Sequence, residues 1–162
     1  MLNVIKLEKD KLHDAIKIWN EVVQDGNSFP QTELLDIESG SDFFASQSFT
    51  GIAVDNDTNK VVGLYILHPN NIGRCGHISN ASFAVTKNKR GQHIGEALVQ
   101  DCLSTAKKLG FKILQFNAVV STNLPALKLY EKMGFTQLGV IPNGFRMPDN
   151  QYADIIPHYI EL

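Results

Sequence analysis

Between Ser82 and Thr105 the chain runs from an apolar strand into a short basic turn and straight on into a helix. Phe83-Ala84-Val85 has strand character, and Thr86-Lys87-Asn88-Lys89-Arg90-Gly91-Gln92-His93 is polar. Ile94, Ala97, Leu98, Cys102, Ala106 and Leu109 then recur at helical spacing along one face. The first N–H groups of a helix lack intrahelical acceptors and lie at the positive end of its dipole. A strand that ends at a helix N-terminus is therefore an anion site. Gly91 and Gly95 would let a phosphate or another backbone come close, and Lys87, Lys89 and Arg90 add positive charge at the mouth. A phosphate-bearing ligand is expected. An ordinary strand–turn–helix with a solvated basic turn is the plainer alternative. No Gly-Lys-Ser/Thr follows, which excludes a Walker loop, and Gly91 and Gly95 do not compose G-x-G-x-x-G.

The rest of the chain frames this segment. Its 162 residues suit one domain, 1–162, with one core. A net charge of −2 argues against nucleic acid as the main partner. No apolar run near Met1 reads as a signal peptide, and Val61–Leu67 is too short to span a membrane, so a cytoplasmic location is expected. Cys75 and Cys102 are isolated, which suits two buried or half-buried thiols rather than a zinc site or a disulfide framework. The histidines have no metal-ligand spacing, and no metal is expected.

Asn3–Leu7 reads as a strand. A helix capped by Asp10 follows, with Leu12, Ala15, Ile16, Trp19, Val22 and Val23 on its apolar face and Gly26 at its end. Asn27–Gln31 is a turn. Thr32–Gln47 is a second helical region, broken at Ser39-Gly40-Ser41 and anchored by Phe43-Phe44. Phe49–Asp55 and Lys60–Leu67 form a hairpin around Asn56–Asn59. Pro69–Arg74 is a loop. Gly76–Val85 is a strand unusually polar for a core element, with alternation placing His77 on the face opposite Asn80. The central helix ends at Gly110, and Phe111–Val120 returns as a parallel neighbour through the helical crossover. Ser121-Thr122-Asn123 caps a last helix with Pro125 in its first turn, closed by Gly134. Thr136–Ile141 and Gln151–Ile160 read as two strands around a turn at Pro142–Asn150.

Two stretches in this order resemble the GNAT superfamily of acetyl-CoA-dependent N-acetyltransferases. Arg90-Gly-Gln-His-Ile-Gly95 is similar to its Arg/Gln-x-x-Gly-x-Gly/Ala signature, with His93 standing at the usual first glycine. That departure matters if the position needs a positive φ. Asn123-Leu-Pro-Ala-Leu-Lys-Leu-Tyr130-Glu-Lys-Met-Gly134-Phe135 resembles the family's Asn-x-x-Ala-x-x-Leu-Tyr-x-x-x-Gly-Phe stretch. The resemblance implies an α/β (α+β) fold: a mixed, mostly antiparallel sheet of about seven strands, splayed between the fourth and fifth, with about four helices. It implies acetyl-CoA as co-substrate.

The resemblance also implies roles. The main chain of Phe83 and Val85 would pair with the pantetheine arm. The N–H groups of Arg90, Gly91, Gln92, His93, Ile94, Gly95 and Glu96 would hold the pyrophosphate. Asn123 would contact the cofactor. Tyr130 would lie at the thioester sulfur and protonate the departing thiolate. A phenol, with a pKa of about 10, lies near a thiol's 8.5 or so. Tyr130 as a core aromatic is the alternative.

In the phosphinothricin-acetyltransferase branch a glutamate occupies the strand position of Asn80, and asparagine cannot act as a base. Asn80 and Asn117 together resemble the fungal enzymes that acetylate azetidine-2-carboxylate, which implies substrate handling and a small amino-acid-like amine. The alternative is that both asparagines satisfy backbone groups where the ladder is lost. Glu21, His77 and water are the other candidates for proton removal. Similar proteins are often dimers, so a homodimer is compatible with the sequence. Acetylation of a protein N-terminus or lysine, and a non-catalytic acyl-CoA sensor, remain competing readings.

Overall fold

The computed structural model describes all residues from Met1 to Leu162. Eight strands form one sheet in the order β1-β2-β3-β4-β5-β8-β6, with β7 also paired to β8. They are β1 (Leu2–Lys6), β2 (Phe49–Asp55), β3 (Lys60–Pro69), β4 (Ile78–Val85), β5 (Ile113–Val120), β6 (Thr136–Gln137), β7 (Ile141–Arg146) and β8 (Tyr152–Glu161). The helices are α1 (Leu12–Asp25), α2 (Ile37–Ala45), α3 (Ile94–Lys108) and α4 (Leu124–Lys132). Every pairing is antiparallel except β4 with β5. The expected mixed sheet and four helices are present, with eight strands rather than about seven.

Each face of the sheet has its own core. On one side α1 and α2 cover Ile52, Val54, Leu64, Ile66 and Ala84. Trp19, 1% exposed, is central there, with its ring 4.5 Å from Phe29 and 4.9 Å from Phe43. On the other side α3 packs Ile94, Leu98, Val99, Cys102 and Ala106 against Leu114 and Phe116, with Tyr130 and Leu129 of α4 at the margin. Full burial of each such side chain is worth roughly 1.5–3 kcal/mol, so neither layer is dispensable.

Several local expectations give way to tertiary packing. Asp10 sits in a 3-10 turn and does not cap α1, whose flanking residue is Lys11. Ser39-Gly40-Ser41 is no break but lies inside α2, where Asp36 and Ser39 form a reciprocal capping box. Gly40 is needed for contact: a Cβ there would fall 2.5 Å from Ile16 Cδ1. Gly76 and His77 precede β4, and His77 is exposed. Leu109 is 49% exposed, because α3 has already ended. Cys75 is also exposed. Pro142–Arg146, read as a turn, is strand β7, bulged between Ile141 and Phe145; the true turn begins at Met147.

The feature that positions the site lies between β4 and β5. Their parallel register extends only over Ile78↔Ile113 and Ser79↔Leu114. Beyond Ser79 the strands part, and β5 bulges between Phe116 and Val119.

Candidate active site

The parting of β4 from β5 leaves one edge of β4 unpaired. Thr86 N–H donates to Val62 O, which fixes the phase of the β3–β4 ladder. Even-numbered residues of β4 therefore bond to β3. Ala81, Phe83 and Val85 aim their N–H and C=O groups into the gap. Val85 O is occupied there by Arg90 Nε, at 3.3 Å.

A cleft of about 800 Å³ runs along this edge. Phe83, Ala84 and Val85 form its floor, and Gly91, His93, Ile94, Gly95 and Glu96 its polar end. Asn123, Pro125, Ala126, Leu129 and Tyr130 supply one wall, and Asn27, Ser28 and Met147 the other. Gln92 is turned away, toward Met1 and Asp57.

The polar end is a main-chain cradle. Gly91 has φ +78 and His93 φ +60, so two left-handed residues flank Gln92, an alternation that turns successive N–H groups inward. The N–H groups from Gly91 to Glu96 have no protein acceptor. The position where His93 replaces a glycine does need positive φ, and histidine adopts it, as His does more readily than most side chains. A Cβ on Gly91 would meet no protein atom, so conformation explains that glycine. A Cβ on Gly95 would approach Leu129 Cδ2 to 3.4 Å, so there the close neighbour is α4.

The basic residues lie at the mouth as expected, but each is held by a carboxylate. Lys87 Nζ is 2.7 Å and Arg90 Nη2 3.2 Å from Asp25 of α1, and Lys89 Nζ is 3.7 Å from Asp55. Partial burial pushes the Asp25 carboxyl up, but hydrogen bonds and charge from Lys87 and Arg90 outweigh it and hold the group below the usual range. Lys132 Nζ and His93 Nδ1 lie 2.8 and 3.3 Å from Glu96 Oε2, and their hydrogen bonds lower the Glu96 carboxyl.

Tyr130 is both core aromatic and cleft residue. Its ring lies 4.5 Å from Phe116 and 5.4 Å from Phe135, while the residue lines the cleft beside Phe83. The hydroxyl makes no hydrogen bond and is not among the occluded polar atoms. Loss of water around it pushes the phenol above its ordinary value, so it stays protonated. Asn123 caps α4, its Oδ1 accepting from Ala126 N at 3.4 Å. Cys102 is fully buried in α3, and burial pushes its thiol up, which leaves it inert as a nucleophile.

Asn80 and Asn117 do not line this cleft. Asn80 lies on the same face of β4 as the cleft-lining Ala84, nearer the point where the strands part. The structure joins the two asparagines through Asn70, a loop residue with no local pattern to mark it. Asn70 Oδ1 accepts from Asn80 Nδ2 at 3.2 Å and from Asn117 Nδ2 at 2.7 Å. Gln115 Nε2 donates to Asn117 Oδ1 at 3.1 Å. Glu21 is engaged elsewhere, accepting from Thr86 Oγ1 at 3.3 Å, beyond the far end of β4 from Asn80. His158, also unanticipated, is 1% exposed, with Nδ1 2.6 Å from Ile156 O and its ring 5.7 Å from that of Tyr130.

A parted sheet whose free strand edge leads into an anion cradle defines the class first: a protein that takes an extended, phosphate-bearing ligand along β4. The family follows from comparison. The family model described as acetyltransferase (GNAT) family matches residues 13–135, and the chain belongs to that family as an acetyl-CoA-dependent acyltransferase. It is 28% identical over 166 residues to N-acetyltransferase aca1 of Schizosaccharomyces pombe, covering 93% of this chain and 79% of that protein. Among solved structures, a GCN5-related N-acetyltransferase from Kribbella flavida is 33% identical with a TM-score of 0.90, over 99% of this chain and 98% of that one. The fold is shared with a phosphinothricin acetyltransferase from Sinorhizobium meliloti in complex with AcCoA, at 16% identity and a TM-score of 0.91, over 99% of this chain and 88% of that one.

Proposed function

We propose that the chain transfers the acetyl group of acetyl-CoA to the amine of a small molecule of amino-acid type, by direct attack in a ternary complex. The observation that carries this reading is the continuity of one cleft from the N–H cradle, along the free edge of β4, to the Tyr130 hydroxyl.

Acetyl-CoA supplies the activated acetyl group, and the residues do the rest. The N–H groups of Gly91 to Glu96 bind the pyrophosphate; that of Arg90, expected to join them, is instead given to Lys87 O and closes the preceding 3-10 turn. The free N–H and C=O of Phe83 and the free N–H of Val85, whose carbonyl is held by Arg90, pair with the pantetheine arm and, through an N–H, polarise the thioester carbonyl. Asn123 borders the arm at the start of α4. Tyr130 gives its proton to the sulfur as the C–S bond breaks and the C–N bond forms. The proton lost by the amine passes to water: Asn80 and Asn117 cannot act as bases, Glu21 lies at the opposite end of β4 from them beside Thr86, and the exposed His77 precedes the strand. Asn80 and Asn117 orient the acceptor, and no charged side chain belongs to their cluster. That suits an amine whose charge is balanced by its own carboxylate. The solved phosphinothricin acetyltransferase with AcCoA supports both the donor and a small-molecule acceptor.

The test is free-thiol release with acetyl-CoA across a panel of amino acids, simple amines and peptides. Turnover of a free amino acid, weakened selectively by Asn80→Ala or Asn117→Ala, is the expected result. Thiol release with peptides alone would replace this acceptor class, and acetyl-CoA binding without any release would end the catalytic reading.

A further inference from the structure

We propose that Asn70 is the positioning residue of the acceptor site, holding Asn80 and Asn117 in one polarity across the base of the splay. The inference rests on the acetyl-transfer reading above for its function and on geometry for its structure.

Asn70 belongs to neither of the parting strands. It follows β3, and its own N–H donates to Ile78 O at 2.8 Å, so the ladder that precedes the splay fixes its main chain. Its half-buried side chain then spans strands that no longer pair with each other. A carboxamide oxygen has two acceptor sites, and Asn70 Oδ1 spends both, on Asn80 Nδ2 and Asn117 Nδ2. The Asn117 oxygen is taken by Gln115.

Each amide is thereby committed in one sense. Asn80 Oδ1 is left free on β4, able to take an N–H of the acceptor amine. Asn70 Nδ2 is left as a donor for that molecule's carboxylate. Were Asn70 reversed, the Asn80 oxygen would be consumed internally and the amine would meet N–H groups instead. Asn70 thus selects which end of a zwitterion is read at Asn80.

The discriminating pair is Asn70→Asp and Asn70→Leu. Aspartate can only accept, so it preserves the observed polarity. Leucine has similar bulk and can hold neither amide. Asn70→Leu is expected to raise the KM of the amino acid acceptor about fivefold to tenfold, the scale of one or two ordinary hydrogen bonds lost at half-buried and exposed groups. Its kcat should change less, and its acetyl-CoA Kd should stay within about twofold. Asn70→Asp should keep kcat within about threefold and retain the distinct chemical shifts of the hydrogen-bonded Asn80 and Asn117 side-chain amides, which Asn70→Leu should lose. An unchanged acceptor KM in Asn70→Leu, or an Asn70→Asp variant that loses the two amide resonances as Asn70→Leu does, overturns the proposal; a higher acceptor KM in Asn70→Asp is expected, because the donor to the carboxylate is gone. The amide resonances are read without turnover. A wild-type protein that acetylates no amino acid therefore sinks the functional reading, while their loss or retention in the variants still decides whether Asn70 holds the cluster.

Discussion

From Gly91 to Glu96 the groups that face the cleft are main-chain N–H groups, set by two positive φ values and the start of α3. At the base of the splay the polar groups are side-chain amides from the end of β3, from β4 and from β5, meeting at one oxygen. The first region needs a backbone path and few particular side chains. The second needs particular side chains on segments separated by up to 47 positions. Substitution should therefore act differently at the two ends. Cradle variants should alter acetyl-CoA binding through conformation, and splay variants should alter turnover or acceptor binding through chemistry.

The largest effect expected is at Tyr130, between the two regions. Tyr130→Phe keeps the ring stack on Phe116 and removes the acid, so kcat should fall by about 10²-fold or more. Acetyl-CoA affinity, measured by titration calorimetry, should hardly move. Full activity in this variant would return Tyr130 to a packing role. Next is Gly91→Val. A β-branched residue at φ +78 is strained by about 1–2 kcal/mol, which should weaken acetyl-CoA binding roughly tenfold as the loop shifts. Gln92→Ala alters a side chain that faces away from the cleft and should leave affinity within about twofold. A larger loss there would break the contrast between the two ends.

The Asp25 ion pairs give a smaller, pH-dependent effect. The folded carboxyl lies below its reference of 3.8, so its stabilisation is fully present above that value and lost as pH falls through the lowered one. Asp25→Asn should cost under about 1 kcal/mol at neutral pH, because Lys87 and Arg90 are half exposed, and the gap to wild type should begin to narrow as pH falls below the reference value of 3.8. Urea denaturation at pH 7 and pH 3 measures it. The smallest effect is expected for His93→Gly, where relief of left-handed strain offsets added freedom in the unfolded chain, leaving stability within about 1 kcal/mol. A tenfold loss of acetyl-CoA affinity would show that the imidazole, not the backbone, serves the cradle.

The same contrast explains what could be read in advance. The cradle is a run of neighbouring residues whose spacing states its shape, so its strand, turn and helix were legible, down to the question posed by His93. Asn80 and Asn117 were legible as polar residues on core strands. Asn70 was not, because its importance comes from where β4 leaves β5, and no local pattern encodes that distance. Gly40 misled because a mid-helix glycine looks like a break until Ile16 is seen resting on it. Pro142 and Gly144 misled in the same way. A bulged strand at the sheet's edge tolerates both, and a Cβ on Gly144 would fall 2.4 Å from Ile155 Cγ1. His158 had no signal at all: its burial is set by β8 lying between β5 and β6.

Asp25 also bears on how the donor arrives. Arg90 and Lys87 are not vacant charges awaiting phosphate, since one carboxylate at the end of α1 already holds both. A pyrophosphate that engages Arg90 must take it from Asp25 or share it. Docking is then an exchange of partners, and part of the attraction is already spent. Added salt weakens the incumbent pair as well as the incoming one, so acetyl-CoA affinity should decline less steeply with ionic strength than the three cations of the loop would suggest. The residues just past Asp25, Asn27 and Ser28, line the opposite wall of the cleft, so the partner that Arg90 releases is tethered to the cleft's own wall.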